Sequence, residues 1–161
     1  MLIMGIDPGI AIVGYGFIEY NKKDQYKLIA SGSIQTSKNE RESLRLLEIY
    51  EDIETLIEKF KPNVASIEKL FYFKNQKTVM SVSQARGVIL TALEKQKLPI
   101  YEYTPIEVKQ VLTGYGRASK NEVKQYVEIF LKENNQQKNL SQLDDTVDAI
   151  GLAICHCRNI I

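Results

Sequence analysis

Cysteine is scarce in this chain: Cys155 and Cys157 are the only two, and they stand two residues apart. Such a pair excludes a disulfide framework and points to a reducing compartment. Histidine is scarcer still, with His156 alone. No apolar run approaches the ~18 residues of a membrane helix. The opening Met1-Leu2-Ile3-Met4 carries no basic region before Asp7, so no signal peptide is expected and the cytoplasm is the expected location. Repeats and low-complexity tracts are absent as well. Net charge is nearly absent: 21 Lys+Arg against 20 Asp+Glu leave +1. Taken alone, that balance speaks against a nucleic-acid partner, because such domains are usually basic.

What is present is the composition of an ordinary globular protein. The 161 residues are 44% hydrophobic and 25% charged, which fits one domain over 1–161 with a sizeable core. The even charge also divides unevenly. Residues 1–68 hold 8 basic and 11 acidic side chains, whereas residues 69–124 hold 10 basic and 4 acidic, a net of +6. A basic segment is therefore hidden beside an acidic one.

The chain reads as a mixed α/β protein. Residues 2–6 are an apolar strand closed by Asp7-Pro8-Gly9, a turn in which Gly9 is expected to supply a positive φ. Val13 to Tyr20 and Tyr26 to Thr36 read as two further strands joined by the polar Asn21–Asp24 hairpin. A helix is expected over Arg41–Phe60, a strand over Val64–Glu68, a helix over Gln76–Gln96 and a strand over Ile100–Tyr103. Thr104-Pro105-Ile106-Glu107 and Ser119-Lys120-Asn121-Glu122 are capping boxes that open two more helices. A last helix is expected from Ser141 to about Arg158. Three meandering strands, then alternating helices and strands, predict a sheet with helices on its faces and a ligand crevice at strand ends.

The chemistry lies in carboxylates that end apolar stretches. Asp7 closes Leu2–Ile6, and Glu68 closes Val64–Ile67. Asp145 and Asp148 sit in Leu143-Asp144-Asp145-Thr146-Val147-Asp148-Ala149-Ile150, where i, i+3 spacing on a helix would share one face. The plain reading of Asp7 is a turn residue, and Asp144 can be the N3 acid of a box starting at Ser141. The sharper reading is that Asp7, Glu68, Asp145 and Asp148 converge. Two such anions about 4 Å apart repel by roughly 4 kcal/mol at an effective dielectric of 20. A multivalent cation relieves this, and an all-oxygen set suits Mg2+ or Mn2+ rather than Zn2+. A pair of such ions hydrolyses phosphodiesters.

Phe71-Tyr72-Phe73 comes just after Glu68-Lys69-Leu70 and is itself followed by Lys74 and Lys77. It reads either as a buried strand continuation or as a loop that stacks on unpaired bases, with Phe71 first and Phe73 second. Lys109, Arg117, Lys120 and Lys124 lie on or beside the Gly114–Gly116 loop. Each alone is an ordinary surface charge, and together they can hold phosphates. The loop is no Walker motif. Cys155 and Cys157 cannot share a helix face, so they read as structural rather than metal-ligating. His156 stands two helical turns past Asp148 and is not expected to act directly.

Gly5-Ile6-Asp7-Pro8-Gly9, Ile67–Asn75, Ser83-Gln84-Ala85-Arg86-Gly87 and Asp145-Thr146-Val147-Asp148-Ala149, in that order, resemble the RuvC family of bacterial Holliday junction resolvases. The resemblance covers about residues 2–158. It implies an RNase H-like fold, a homodimer paired through about residues 76–96, and Mg2+-dependent nicking of two strands of like polarity at a four-way junction. It places the four catalytic and metal-binding carboxylates, holding two ions, on Asp7, Glu68, Asp145 and Asp148. Its base-stacking aromatic falls on Phe71 and its basic residues near the scissile phosphate on Lys109 and Lys120. Arg86, within the Ser83–Gly87 motif, joins the expected DNA-binding set with Phe73, Lys74, Lys77, Arg117 and Lys124. The resemblance also implies a branch-migration motor, RuvA and RuvB, as partner. Three other readings compete: half of an actin-like or sugar-kinase ATPase, a nuclease acting on RNA precursors, and a nuclease-inactive nucleic-acid-binding module on the same fold.

Overall fold

A computed structural model of the chain describes residues 1–21, 25–70, 76–133 and 146–160, with the side chains of 25 and 76–78 left aside. The chain runs β1 (Leu2–Asp7), β2 (Ile12–Asn21), β3 (Gln25–Gln35), α1 (Glu42–Phe60), β4 (Val64–Glu68), α2 (Gln76–Lys95), β5 (Ile100–Tyr103), α3 (Pro105–Thr113), α4 (Lys120–Glu133) and α5 (Val147–Asn159). The five strands form one sheet in the order β3-β2-β1-β4-β5. β1, β2 and β3 are an antiparallel meander, and β4 and β5 join β1 in parallel. This is the mixed sheet that the order of elements predicts, in the RNase H-like arrangement that the resemblance implies. Among the described residues no helix is long and apolar enough to cross a membrane.

The central strands are apolar on both faces because both faces are covered. Ile3, Ile18 and Val64 pack with α3, α4 and α5 on one side. Met4, Ile6, Phe17, Ala65 and Ile67 pack with α1 and α2 on the other. The period-2 alternation of a strand then fixes the faces of the remaining residues. Gly5 and Asp7 share the α5 face with Ile3, and Ser66 and Glu68 share it with Val64.

Two of the expected starts differ. The Asp7-Pro8-Gly9 turn does not need a positive φ at Gly9, since Gly114 is the one glycine with a positive φ among the described residues. Gly9 is required for space instead: a Cβ there would lie 2.3 Å from the Ile12 carbonyl oxygen. The last helix begins at Val147 with Thr146 as its N-cap. Ser141, Asp144 and Asp145 lie outside the described residues, and with them the helix face expected to be shared by Asp145 and Asp148. Both capping boxes are present: Thr104 with Glu107 opens α3, and Ser119 with Glu122 opens α4.

α5 sits unusually close to the sheet. A Cβ on Gly5 would lie 1.9 Å from the Ala149 carbonyl oxygen, and one on Gly16 would lie 2.8 Å from Ile150. The buried Ser66 hydroxyl donates to the Leu152 carbonyl at 2.8 Å, tying the same helix to β4. Replacing Gly5→Ala must push α5 off β1. Overpacking of this kind destabilises by about 1–3 kcal/mol, and the melting temperature is expected to fall by several degrees. A thermal scan showing no fall would mean that α5 is not seated on β1 through this glycine.

Candidate nuclease site

Three carboxylates meet where β1 and β4 end. Register pairs Ile6 with Ile67 in the parallel ladder, so Asp7 and Glu68 extend side by side from adjacent strands on the α5 face. Each follows an apolar stretch that must be buried, and this leaves the acid at the rim of the core. Asp148 is the second residue of α5, held over the strand ends by the Gly5 and Gly16 contacts. Its place in the first helical turn suits a negative charge, since the helix N-terminus is the positive end of the dipole.

The electrostatics show that the three acids sense one another. Burial is the largest cause that pushes Asp7 up to about 6, and the charge of Asp148 adds to it. Burial likewise leads in pushing Glu68 up to about 7, with Asp7 and then Asp148 as further causes. Lys120 works in the opposite direction on both. Its ammonium lies 3.1 Å from the Asp148 carboxylate, and this pairing is the first cause that raises the lysine's own pKa. Lys109 also lowers Glu68. A cleft lined by Glu68, Pro105, Lys109, Val123, Asp148 and Leu152 opens beside the acids.

The donor set is all carboxylate oxygen with a surplus of negative charge, which is the chemistry of a hard divalent cation rather than of zinc. Among the described residues no three acids close into a ready-made metal cage. Asp145, the fourth expected ligand, lies outside those residues.

The expected nucleic-acid contacts divide. Lys109 on α3 and Lys120 at the start of α4 border the acids. Arg117 is exposed on the loop before α4, and Lys124 lies one turn further along that helix. Phe71, Phe73 and Lys74 lie outside the described residues, and Lys77 is described only as part of the α2 backbone. Arg86 faces inward: its Nε donates to the Glu68 carbonyl oxygen at 3.1 Å, and its guanidinium pairs with Glu102. Sequence reasoning did not single out Glu102. The available signal was parity, because Glu102 alternates with Tyr101 and Tyr103 and so faces α2.

The Cys-His-Cys segment is structural. Both thiols are free and buried, and burial pushes each up to about 12. They are poor metal ligands in that state, which requires the thiolate. His156 is buried, its Nδ1 lies 2.8 Å from the Tyr103 hydroxyl, and Tyr101 packs on its ring at 4.2 Å. Desolvation holds this imidazole below its ordinary pKa, so it serves as a neutral packing group.

The chain is similar to known proteins over nearly its whole length. Residues 3–156 match the family described as crossover junction endodeoxyribonuclease RuvC. The protein of that name from Petrotoga mobilis is 46% identical over 156 residues, spanning 97% of this chain and 93% of the relative. The one from Caldicellulosiruptor saccharolyticus is 43% identical over 156 residues, with 97% and 92% covered. Among solved structures, Thermus thermophilus RuvC in complex with Holliday junction substrate superposes with a TM-score of 0.89 at 28% identity, covering 99% of this chain and 94% of the other. Strand-end carboxylates on an RNase H-like sheet, matched from one end of the chain to the other, make this protein a member of the RuvC family of crossover junction endodeoxyribonucleases.

Proposed function

We propose that this chain resolves four-way DNA junctions by metal-dependent hydrolysis of phosphodiesters, in recombination and repair. The observation that carries the reading is the pairing of Asp7 with Glu68 on adjacent strand ends, under Asp148 and beside Lys109 and Lys120. The junction bound by the Thermus thermophilus relative supports the substrate. Asp7, Glu68 and Asp148, joined by Asp145, would hold two Mg2+ or Mn2+ ions. Bound there, the ions supply Lewis-acid stabilisation of the phosphate and activation of the attacking water.

The chain's own residues then have defined tasks. Lys120 is held by Asp148 at 3.1 Å in the free protein. That places the ammonium within reach of a phosphate oxygen brought to the acids. Lys109, Arg117 and Lys124 extend the positive rim, and Lys74 and Lys77 would add contacts to the DNA backbone. Phe71 and Phe73 stack on bases exposed at the junction, a contact worth about 1–3 kcal/mol per base. Cleavage of two strands calls for two sites, hence a homodimer. α2 is suited to pair the protomers, since it carries exposed Met80 and, on the same side, the small residues Ser83 and Gly87. The branch-migration motor RuvA and RuvB would deliver the substrate.

Asp7→Asn keeps the size of the side chain and removes one ligand charge. Nicking of a synthetic four-way junction in Mg2+ is expected to fall by at least about a hundredfold, the upper end for loss of a supporting group at a metal site. Junction binding in EDTA is expected to stay within twofold. Cleavage equal to wild type removes Asp7 from the site. The most direct test of the whole reading compares junction, linear duplex and RNA–DNA hybrid as substrates, and preference for either of the last two contradicts it.

The acids also link stability to pH. Asp7 at about 6 and Glu68 at about 7 hold protons in the folded chain at pH values where the unfolded chain has lost them. Metal-free protein is therefore expected to lose stability as pH rises from about 4 to 7. In EDTA at pH 8, Asp7→Asn is expected to melt a few degrees above wild type, with the gap closing toward pH 4. A lower melting temperature for the variant at pH 8 contradicts the assigned burial and repulsion.

A further inference from the structure

The parallel ladder between β1 and β4 stops at Ile6 and Ile67, one residue short of the two acids. The reason lies in the next donor. The Lys69 N–H bonds to the Tyr103 carbonyl on β5, so by alternation the N–H and C=O of Glu68 face β1. In this register the Glu68 carbonyl would accept from the N–H of residue 8. Residue 8 is proline and has no N–H. An unpaired carbonyl would thus stand at the strand end that carries a site carboxylate.

Arg86 fills that position. Its Nε–H donates to the Glu68 carbonyl oxygen at 3.1 Å. Its terminal nitrogen pairs with Glu102 on β5. The guanidinium is thereby anchored on one side of β4 while it bonds to the strand itself. The Arg86 side chain is 14% exposed, and two of its nitrogens are engaged within the protein.

We propose that Arg86 is a positioning residue for the carboxylate pair: its Nε–H stands in for the ladder donor that Pro8 lacks, and Glu102 anchors it, fixing Glu68 against Asp7. Asp7 is held by the antiparallel ladder to β2, which extends to the Asp7–Gly14 pair. On Glu68 the N–H still faces Ile6 on β1, but the carbonyl has no β1 donor and takes one from α2. The order of the site therefore depends on a helix that contributes no carboxylate to it. The inference rests on the reading of Asp7 and Glu68 as metal ligands and adds a residue that acts through one of them.

The test uses the full chain with Arg86→Gln and Arg86→Lys. Lysine retains the charge and can pair with Glu102, but it lacks the planar fork that bonds two acceptors at once. Both variants are expected to bind Mn2+ about tenfold more weakly in the DNA-free protein, measured by the EPR signal of free Mn2+, as is typical when a group supporting a metal ligand is lost. The Mg2+ concentration for half-maximal nicking should rise in parallel. The rate at saturating Mg2+ should stay within about threefold, and junction affinity in EDTA should not change. Unchanged Mn2+ affinity overturns the proposal. So does a junction Kd in EDTA raised more than fivefold, which would make Arg86 a DNA contact. Should Arg86→Gln and Arg86→Lys fail to fold by circular dichroism, Glu102→Gln keeps the arginine and removes its anchor. It should weaken Mn2+ binding about threefold, and no weakening counts against the clamp. If wild type binds Mn2+ yet leaves junctions intact, the proposed activity fails while the clamp is still read from Mn2+ binding alone.

Discussion

The seat of α5 on β1 governs the rest of this structure. Main chain meets main chain there, because Gly5 presents no Cβ to the Ala149 carbonyl. Gly16 on β2 likewise leaves room for Ile150 of α5, and the Ser66 hydroxyl secures the helix to β4. A helix packed through ordinary side chains would stand well away from the sheet. Asp148 would then be too distant to raise Asp7 and Glu68, as its charge does. A packing detail of the core is thus also the device that assembles the site.

The assembled acids are in tension with the fold that holds them. Burial and mutual repulsion both favour protonation of Asp7 and Glu68. Lys120 relieves part of this by pairing with Asp148, and Lys109 by its field on Glu68. The same lysines border the cleft through which a phosphate would approach. In the proposed function, the cations that balance the acids in the free protein would also meet the phosphate.

The strand ends show how such a site is kept in register. A proline beside Asp7 ends the β1–β4 ladder early and frees the chain to turn toward β2. The structure offsets the lost donor with Arg86 from α2. That pairing was not legible from the chain alone. Arg86 reads there as one more cation in a basic segment, and Glu102 as one more surface acid. Only the rotation of α2 and the face of β5 set them across β4 from each other.

Much of the fold was legible because it rests on local rules. Apolar stretches bounded by polar turns gave the strands, 3.6-residue periodicity gave α1 and α2, and two capping boxes placed α3 and α4 where they are. A carboxylate at the end of a buried strand is conspicuous in any sequence, so Asp7 and Glu68 could be named from it. The helix start at Val147 and the crowding at Gly9 were not, because each depends on what lies nearby in space. The sequence by itself determined which residues are apolar, where elements start and which acids are out of place, since these follow from residue type and spacing. The tertiary structure alone decided that the acids converge, that Lys120 balances them and that Arg86 supports one of them, since those facts depend on distances between residues far apart in the chain.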